Sequence, residues 1–221
     1  MPKPKLFCVG DLHGEFQALE ALALTAAPDD IIIQVGDFGI WPYTQARWQL
    51  SRDVYFVDGN HDHIPSLPLH ALAPVEVWPH AWYVPRGVVL NLLGRRVLFC
   101  GGSKSLDRAW RPKNSTQHGW FEEEQLTMND VARAREHVGA EVIDLMITHA
   151  PPDSVIRHNF SEEGLRFFGH NPKQWVDESA RLVEELWLTI GKPPLVCGHM
   201  HRSVADNGCT ILDINEVYVP W

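Results

Sequence analysis

The sequence predicts a mixed α/β sheet covered by helices. Three observations carry this: short apolar or β-branched runs that each stop at turn residues, helical patterns lying between them, and the alternation of the two along the chain. The runs are KLFCVGD (5–11), IIIQVGD (31–37), DVYFVDGN (53–60), RRVLFCGG (95–102), VIDLMITHAPP (142–152) and PPLVCGH (193–199). Their length and breakers suit buried strands of a packed sheet.

Between these runs, EFQALEALALTAA (15–27) places Phe16, Leu19, Leu22 and Ala26 on one helix face. Segment 121–137 opens with an acidic turn, Glu122 to Glu124, that suits a helix N-terminus. A third helix is predicted at about 173–190, with Trp175, Leu182, Leu186 and Ile190 as its apolar stripe. The D-N-G turn at 206–208 predicts a hairpin within 203–219, and the Pro-rich stretch 65–85 reads as an irregular surface connection. No repeat or linker interrupts the chain, so residues 1–221 are expected to form a single domain.

Composition narrows the function classes. With 45% hydrophobic, 21% charged and 10% aromatic residues, the chain is neither disordered, collagenous nor coiled coil, and its length lets it bury roughly 70% of its unfolded surface. Nineteen Lys and Arg against 28 Asp and Glu leave a net charge of -9, so no general field exists to hold duplex nucleic acid or an acidic membrane. The apolar stretch of MPKPKLFCVGD (1–11) reads as too short for a signal peptide, and no apolar run of about 18 residues occurs in the sequence. Cys8, Cys100, Cys197 and Cys209 form no C-x-x-C pair and read as buried free thiols of a reducing compartment, which makes a cytoplasmic location the expectation.

The chemistry lies in the turns that close the apolar runs. G-D-L-H-G (10–14) supplies Asp11 and His13 at i and i+2, a spacing that lets both side chains meet one cation as the chain leaves a strand. V-G-D-F-G (35–39) adds Asp37, whose two carboxylate oxygens suit a bridge between metals. G-N-H-D (59–62) offers Asn60 as a neutral oxygen ligand and His61 as a proton donor beside Asp62. T-H-A-P-P (148–152) presents His149, and G-H-M-H (198–201) presents His199 and His201. Any one of these is an ordinary turn; five in one chain, each closing an apolar run, point to a metal centre.

In their order, G-D-x-H, G-D, G-N-H-D, T-H and G-H-x-H, these segments resemble the signature of the calcineurin-like metallophosphoesterase superfamily, spread over residues 10–201. The resemblance implies a four-layer α/β/β/α sandwich of two mixed sheets flanked by helices, with a two-metal site between the sheets. It makes Asp11, His13 and His201 ligands of one metal, Asn60, His149 and His199 ligands of the other, and Asp37 the bridge. It makes His61 the catalytic acid or transition-state stabiliser, with Asp62 its partner; a carboxylate there would help keep the imidazole charged. The implied activity is hydrolysis of a phosphomonoester or phosphodiester of a small or nucleotide-like substrate, a water activated by the two cations attacking phosphorus in line. A mixed imidazole and carboxylate set suits manganese, iron or zinc better than magnesium, and manganese is the expected metal.

Asp37 is followed by F-G-I-W (38–41), where the Ser/Thr protein phosphatase branch carries V-D-R-G, so that branch's activity is not expected. Segment 101–124 is the most individual part of the chain and is the expected substrate-facing insertion. Arg108, Arg111 and Lys113 are its candidate phosphate contacts, and Trp110 and Trp120 its candidate stacking surfaces. The competing reading pairs those arginines with Glu122 to Glu124 and packs the tryptophans on the surface. Trp41 and Trp48 are placed on a helix after Asp37 and read as packing residues. Two alternatives stand beside the phosphoesterase reading: a nuclease for single-stranded or branched ends, which needs Lys and Arg flanking the metals, and a non-catalytic scaffold, which such proteins become by losing ligands that this chain retains.

Overall fold

The computed structural model describes residues 3–44 and 50–221. Twelve strands are formed among them: β1 (Leu6–Val9), β2 (Ile31–Gln34), β3 (Val54–Phe56), β4 (Val75–Trp78), β5 (Ala81–Tyr83), β6 (Val88–Leu92), β7 (Arg95–Cys100), β8 (Leu145–Thr148), β9 (Leu195–Cys197), β10 (Val204–Asp206), β11 (Cys209–Ile211) and β12 (Val217–Tyr218). They build two six-stranded mixed sheets, ordered β12-β1-β2-β3-β5-β4 and β10-β11-β9-β8-β7-β6. The inner pairs β1/β2, β2/β3 and β3/β5 are parallel, as are β7/β8, β8/β9 and β9/β11. Both edges of each sheet are antiparallel.

The reason the inner strands read as unbroken apolar runs is that both faces are buried. Side chains of β2 alternate, with Ile33 facing the other sheet and Ile32 the outer layer; in β7, Val97 and Phe99 point inward while Leu98 and Cys100 point outward. One core lies between the sheets and contains Leu6, Ile33, Val97, Phe99, Leu145, Ile147 and Val196. A second covers the outer face of the first sheet through Phe16 and Leu19 at the start of α1 (Gln17–Thr25). A third covers the other sheet through Val131 and Ala134 of α2 (Met128–Val138) and Leu182, Val183 and Leu186 of the long C-terminal helix. The layers are therefore helix, sheet, sheet, helix, as expected.

Several boundaries differ from expectation. The 65–85 stretch is not an irregular connection: it carries β4 and β5, and β5 sits inside the first sheet between β3 and β4. The helix predicted over 121–137 begins at Met128, because Thr127 and Asp130 form a capping box; Glu122–Glu124 is a separate 3-10 turn. Two short helices, α3 (Asp153–Asn159) and α4 (Glu163–Phe167), follow β8 and precede α5 (Glu178–Thr189). Asp177 caps α5 by accepting from the Ala180 N–H at 3.0 Å, which leaves Trp175 outside the helix. The C-terminal hairpin forms as β10 and β11, while β12 crosses to pair with β1. Trp41 lies in no helix; it is buried and its indole N–H donates to the His61 carbonyl at 2.9 Å. Trp48 lies outside the described residues. All four cysteines are buried and unpaired.

Candidate metal centre

Parallel pairing puts the carboxyl ends of β1, β2, β3, β8 and β9 on one edge of the sandwich, and each run's last residues turn there. Asp11, Asp37, Asn60, His149 and His199 arrive in this way, one from each strand. Four of the candidate ligands sit in the left-handed backbone region: His13 (φ 49°), Asp37 (54°), His199 (72°) and His201 (47°). A non-glycine residue there costs of order 1–3 kcal/mol, which surrounding structure must offset. Asp11, His13, Asp37 and His201 converge on one point, while the His199 ring turns toward His149.

Asp11, His13, Asp37 and His201 each aim one ligand atom into a space where all four atoms lie within 4.8 Å of one another. His13 Nε2 and His201 Nε2 are 2.9 Å apart, and His201 Nε2 lies 3.2 Å from Asp11 Oδ2. The second group lies deeper. His149 Nδ1 bonds the Val35 carbonyl at 2.9 Å, which aims Nε2 at Asn60 Oδ1 (3.1 Å) and Asp37 Oδ1 (3.4 Å). The Asn60 amide nitrogen donates to Ser105 Oγ at 3.1 Å, which fixes the oxygen toward His149. The His199 ring centroid is 5.1 Å from that of His149, and the His199 backbone N–H donates to the Asp11 carboxylate.

Two buried carboxylates, Asp11 and Asp37, share this space, and such a pair needs positive charge beside it. Burial works against the charge of His149, yet Asp37 and Asp11 push its pKa up to about 10. Burial likewise opposes ionisation of Asp37, but His149, His61 and His13 hold its carboxyl well below the usual range. His199 is driven well down by burial and by the neighbouring His149. The donor chemistry thus asks for cations here. The sharpest mark is Asp37 Oδ2, a buried carboxylate oxygen with no hydrogen-bond partner, while Oδ1 accepts from the His61 N–H at 2.7 Å. These residues fit divalent metal. Two glycines make the room: a Cβ on Gly198 would come within 2.0 Å of Asp11 Oδ1, and one on Gly59 within 2.1 Å of Asp37 Oδ1.

His61 stands at the mouth of the site with its side chain 31% exposed. Burial pushes its pKa down to about 4 against the pull of Asp37. The expectation that Asp62 is its partner is corrected by the geometry. The Asp62 carboxylate accepts from the backbone N–H groups of Phe38, Gly39, Ile40 and Gly59, at 2.7–3.2 Å, and so ties the turn after β2 to the turn after β3. Burial, followed by the nearby Asp37, lifts its own pKa to about 7. The carboxylate facing His61 is that of Asp107, 3.7 Å from Nε2. Sequence reasoning missed Asp107 and Ser105. The signal was available: β7 is parallel to β8, so residues after its carboxyl end fall at the same edge as the motifs.

Arg108 and Arg111 are both held by protein groups. Arg108 pairs with the buried Glu124 at 2.9 Å and lies over the Trp120 ring, as the competing reading of this segment expected. Arg111 bonds Asp107 (3.2 Å), Ser105 Oγ (2.9 Å) and the Asn60 carbonyl (3.0 Å), so it braces the site rather than facing open solvent. Lys113 pairs with Glu122. The cations of this segment are therefore committed internally. Trp110 is exposed and clusters with Phe167 and Phe168. His118 meets the Tyr43 hydroxyl at 2.9 Å and is no part of the ligand cluster.

A two-sheet sandwich that gathers aspartates and histidines at its carboxyl edge, with buried negative charge open for a cation, is the frame of a metal-dependent hydrolase. The chain matches the family model described as calcineurin-like phosphoesterase over residues 4–203, and it belongs to that family. That membership assigns it to the phosphoester hydrolases. No curated protein matches it. No described helix is long and apolar enough to cross a membrane.

Proposed function

We propose that the chain hydrolyses a phosphomonoester or phosphodiester at a centre of two divalent cations, manganese first among the candidates. Asp11, His13 and His201 would hold one, Asn60, His149 and His199 the other, with Asp37 shared. The observation that carries this is the orphaned Asp37 Oδ2, buried opposite His13 (3.8 Å) while Oδ1 faces His149. Bound there, the cations would supply Lewis acidity toward the phosphate oxygens and toward a nucleophilic water.

The chain's own residues do the rest. Deep burial of Asp11, Asp37, Asn60 and His149 keeps their positions rigid and excludes water from one side. His61, at the open side, faces the substrate. Its proposed role is to supply the proton that the leaving oxygen takes. Asp107 orients its ring, and Arg111 holds Asp107.

The test is hydrolysis of p-nitrophenyl phosphate and bis-p-nitrophenyl phosphate by metal-stripped protein, with manganese, zinc or magnesium restored and His61→Ala in parallel. Manganese-dependent turnover that His61→Ala loses while still binding metal is the expected result. Protein that binds two metals yet turns over neither ester with any of them would overturn the reading in favour of a scaffold.

A further inference from the structure

A cavity of about 530 Å³ opens beside the metal cluster, with His199 and Met200 of the G-H-M-H turn in its wall. It is of the size that holds a whole small ligand. Most of its other walls come from α3, α4 and α5 and the loops between them, joined by Leu106 after β7 and Arg202 after β9. Ile156, Phe160, Leu165 and Trp175 supply an apolar lining, with both aromatic rings half-buried.

Three acids (Asp153, Glu162, Asp177) and three arginines (Arg157, Arg181, Arg202) line this cavity, but they do not all pair with one another. Asp153 pairs with Arg157, and Glu162 with Arg166 at 2.5 Å. The Asp177 carboxylate caps α5, and Lys104 beside it donates to the Val176 carbonyl. Each acid of the wall is thereby balanced or engaged. Arg181 and Arg202 remain: both are exposed, and neither makes an ion pair among the described residues. The Arg202 guanidinium lies 5.8 Å over the Phe160 ring, which orients it at the apolar wall. Two guanidinium groups on different elements, α5 and the loop after β9, suit the spread oxygens of a phosphate better than a single carboxylate.

We propose that this cavity receives the organic arm of the substrate, a planar ring-bearing group of nucleoside size that carries a further phosphate for Arg181 and Arg202; the inference rests on reading the neighbouring cluster as a phosphoesterase centre. The substrate class is then a nucleotide-like ester with more than one phosphate. The cluster engages one phosphate and the arginines another, with the ring in the apolar part of the cavity.

The probe is α,β-methylene-ADP, whose P–C–P bridge resists hydrolysis, titrated calorimetrically into the full chain with manganese, beside adenosine and orthophosphate. Wild type is expected to bind it at least tenfold more tightly than either. In the charge-reversed pair Arg181→Glu with Arg202→Glu, its affinity should fall at least tenfold further than that of orthophosphate. Ile156→Trp, which fills the cavity without touching the arginines, should produce the same selective loss. If the nucleotide binds no better than orthophosphate, or if the variants weaken both anions equally, the cavity is not the arm's site. Because this is read from binding, it stands or falls apart from turnover of p-nitrophenyl phosphate, whose absence would count against the phosphoesterase reading.

Discussion

His61 and Asp107 face each other at 3.7 Å across the mouth of the site, Nε2 to Oδ2, although one leaves β3 and the other follows β7 in the opposite sheet. The pair is made only when the two sheets close on each other. Asp62, the immediate neighbour of His61, is turned away and bonded to backbone.

From that geometry, Asp107→Asn is expected to lower kcat by about 10–100-fold, the usual effect of losing a partner that orients a reacting imidazole. KM and bound metal should change little, and Asp107→Glu should recover part of the loss. Steady-state kinetics with metal analysis of each variant would check this; a loss confined to KM would sink the orienting role.

Gly198→Ala should abolish stable metal binding in a folded protein. The added Cβ would stand 2.0 Å from Asp11 Oδ1, and the carboxylate must rotate away. Manganese titration followed calorimetrically, with circular dichroism as the folding control, reads the effect; wild-type affinity in the variant would refute the close approach.

Arg86 is 2% exposed and joins Asp58 (Nε–Oδ2 3.0 Å) to Asp130 (3.4 Å) while donating to the Gln125 carbonyl at 2.7 Å. Arg86→Met leaves two buried carboxylates short of their cation and is expected to cost about 3–5 kcal/mol of stability. Urea unfolding would show it as a lower midpoint with the same slope. An unchanged midpoint would mean that Asp58 and Asp130 find other partners.

Glu124 sets a pH dependence. Burial raises its pKa against the opposing charge of Arg108, so the folded state holds this proton more tightly than the unfolded chain does. For an acid raised on folding, stability is greatest below the unfolded value of about 4.3 and declines as pH rises toward the folded one. Relative to Glu124→Gln, wild type should therefore be more favoured at pH 4 than at pH 7. Paired urea melts at both values test the sign, and a gap that widens with pH contradicts it.

The legible part of this protein was its strand ends. Asp11, Asp37, Asn60, His149 and His199 each follow an apolar run that a strand buried on both faces must have, so motif and element announce each other. Less legible were strands too short to carry a pattern. In β4 and β5, V-E-V-W and A-W-Y are read as strands only once β3 is there to pair with. The true start of α2 was written in T-M-N-D at 127–130, a capping box, but the acidic residues before it imitate a helix N-terminus.

Local sequence therefore determined which side chains reach the carboxyl edge and the class of chemistry they offer, because strand periodicity and turn residues act over a few positions. Only the packed sheets decided their partners. Asp107 for His61, Ser105 for Asn60, Glu124 for Arg108, and the arginine-lined cavity behind His199 all depend on contacts between segments far apart in the chain. Such contacts are selected by burial and charge balance in three dimensions, and neither leaves a period in the sequence.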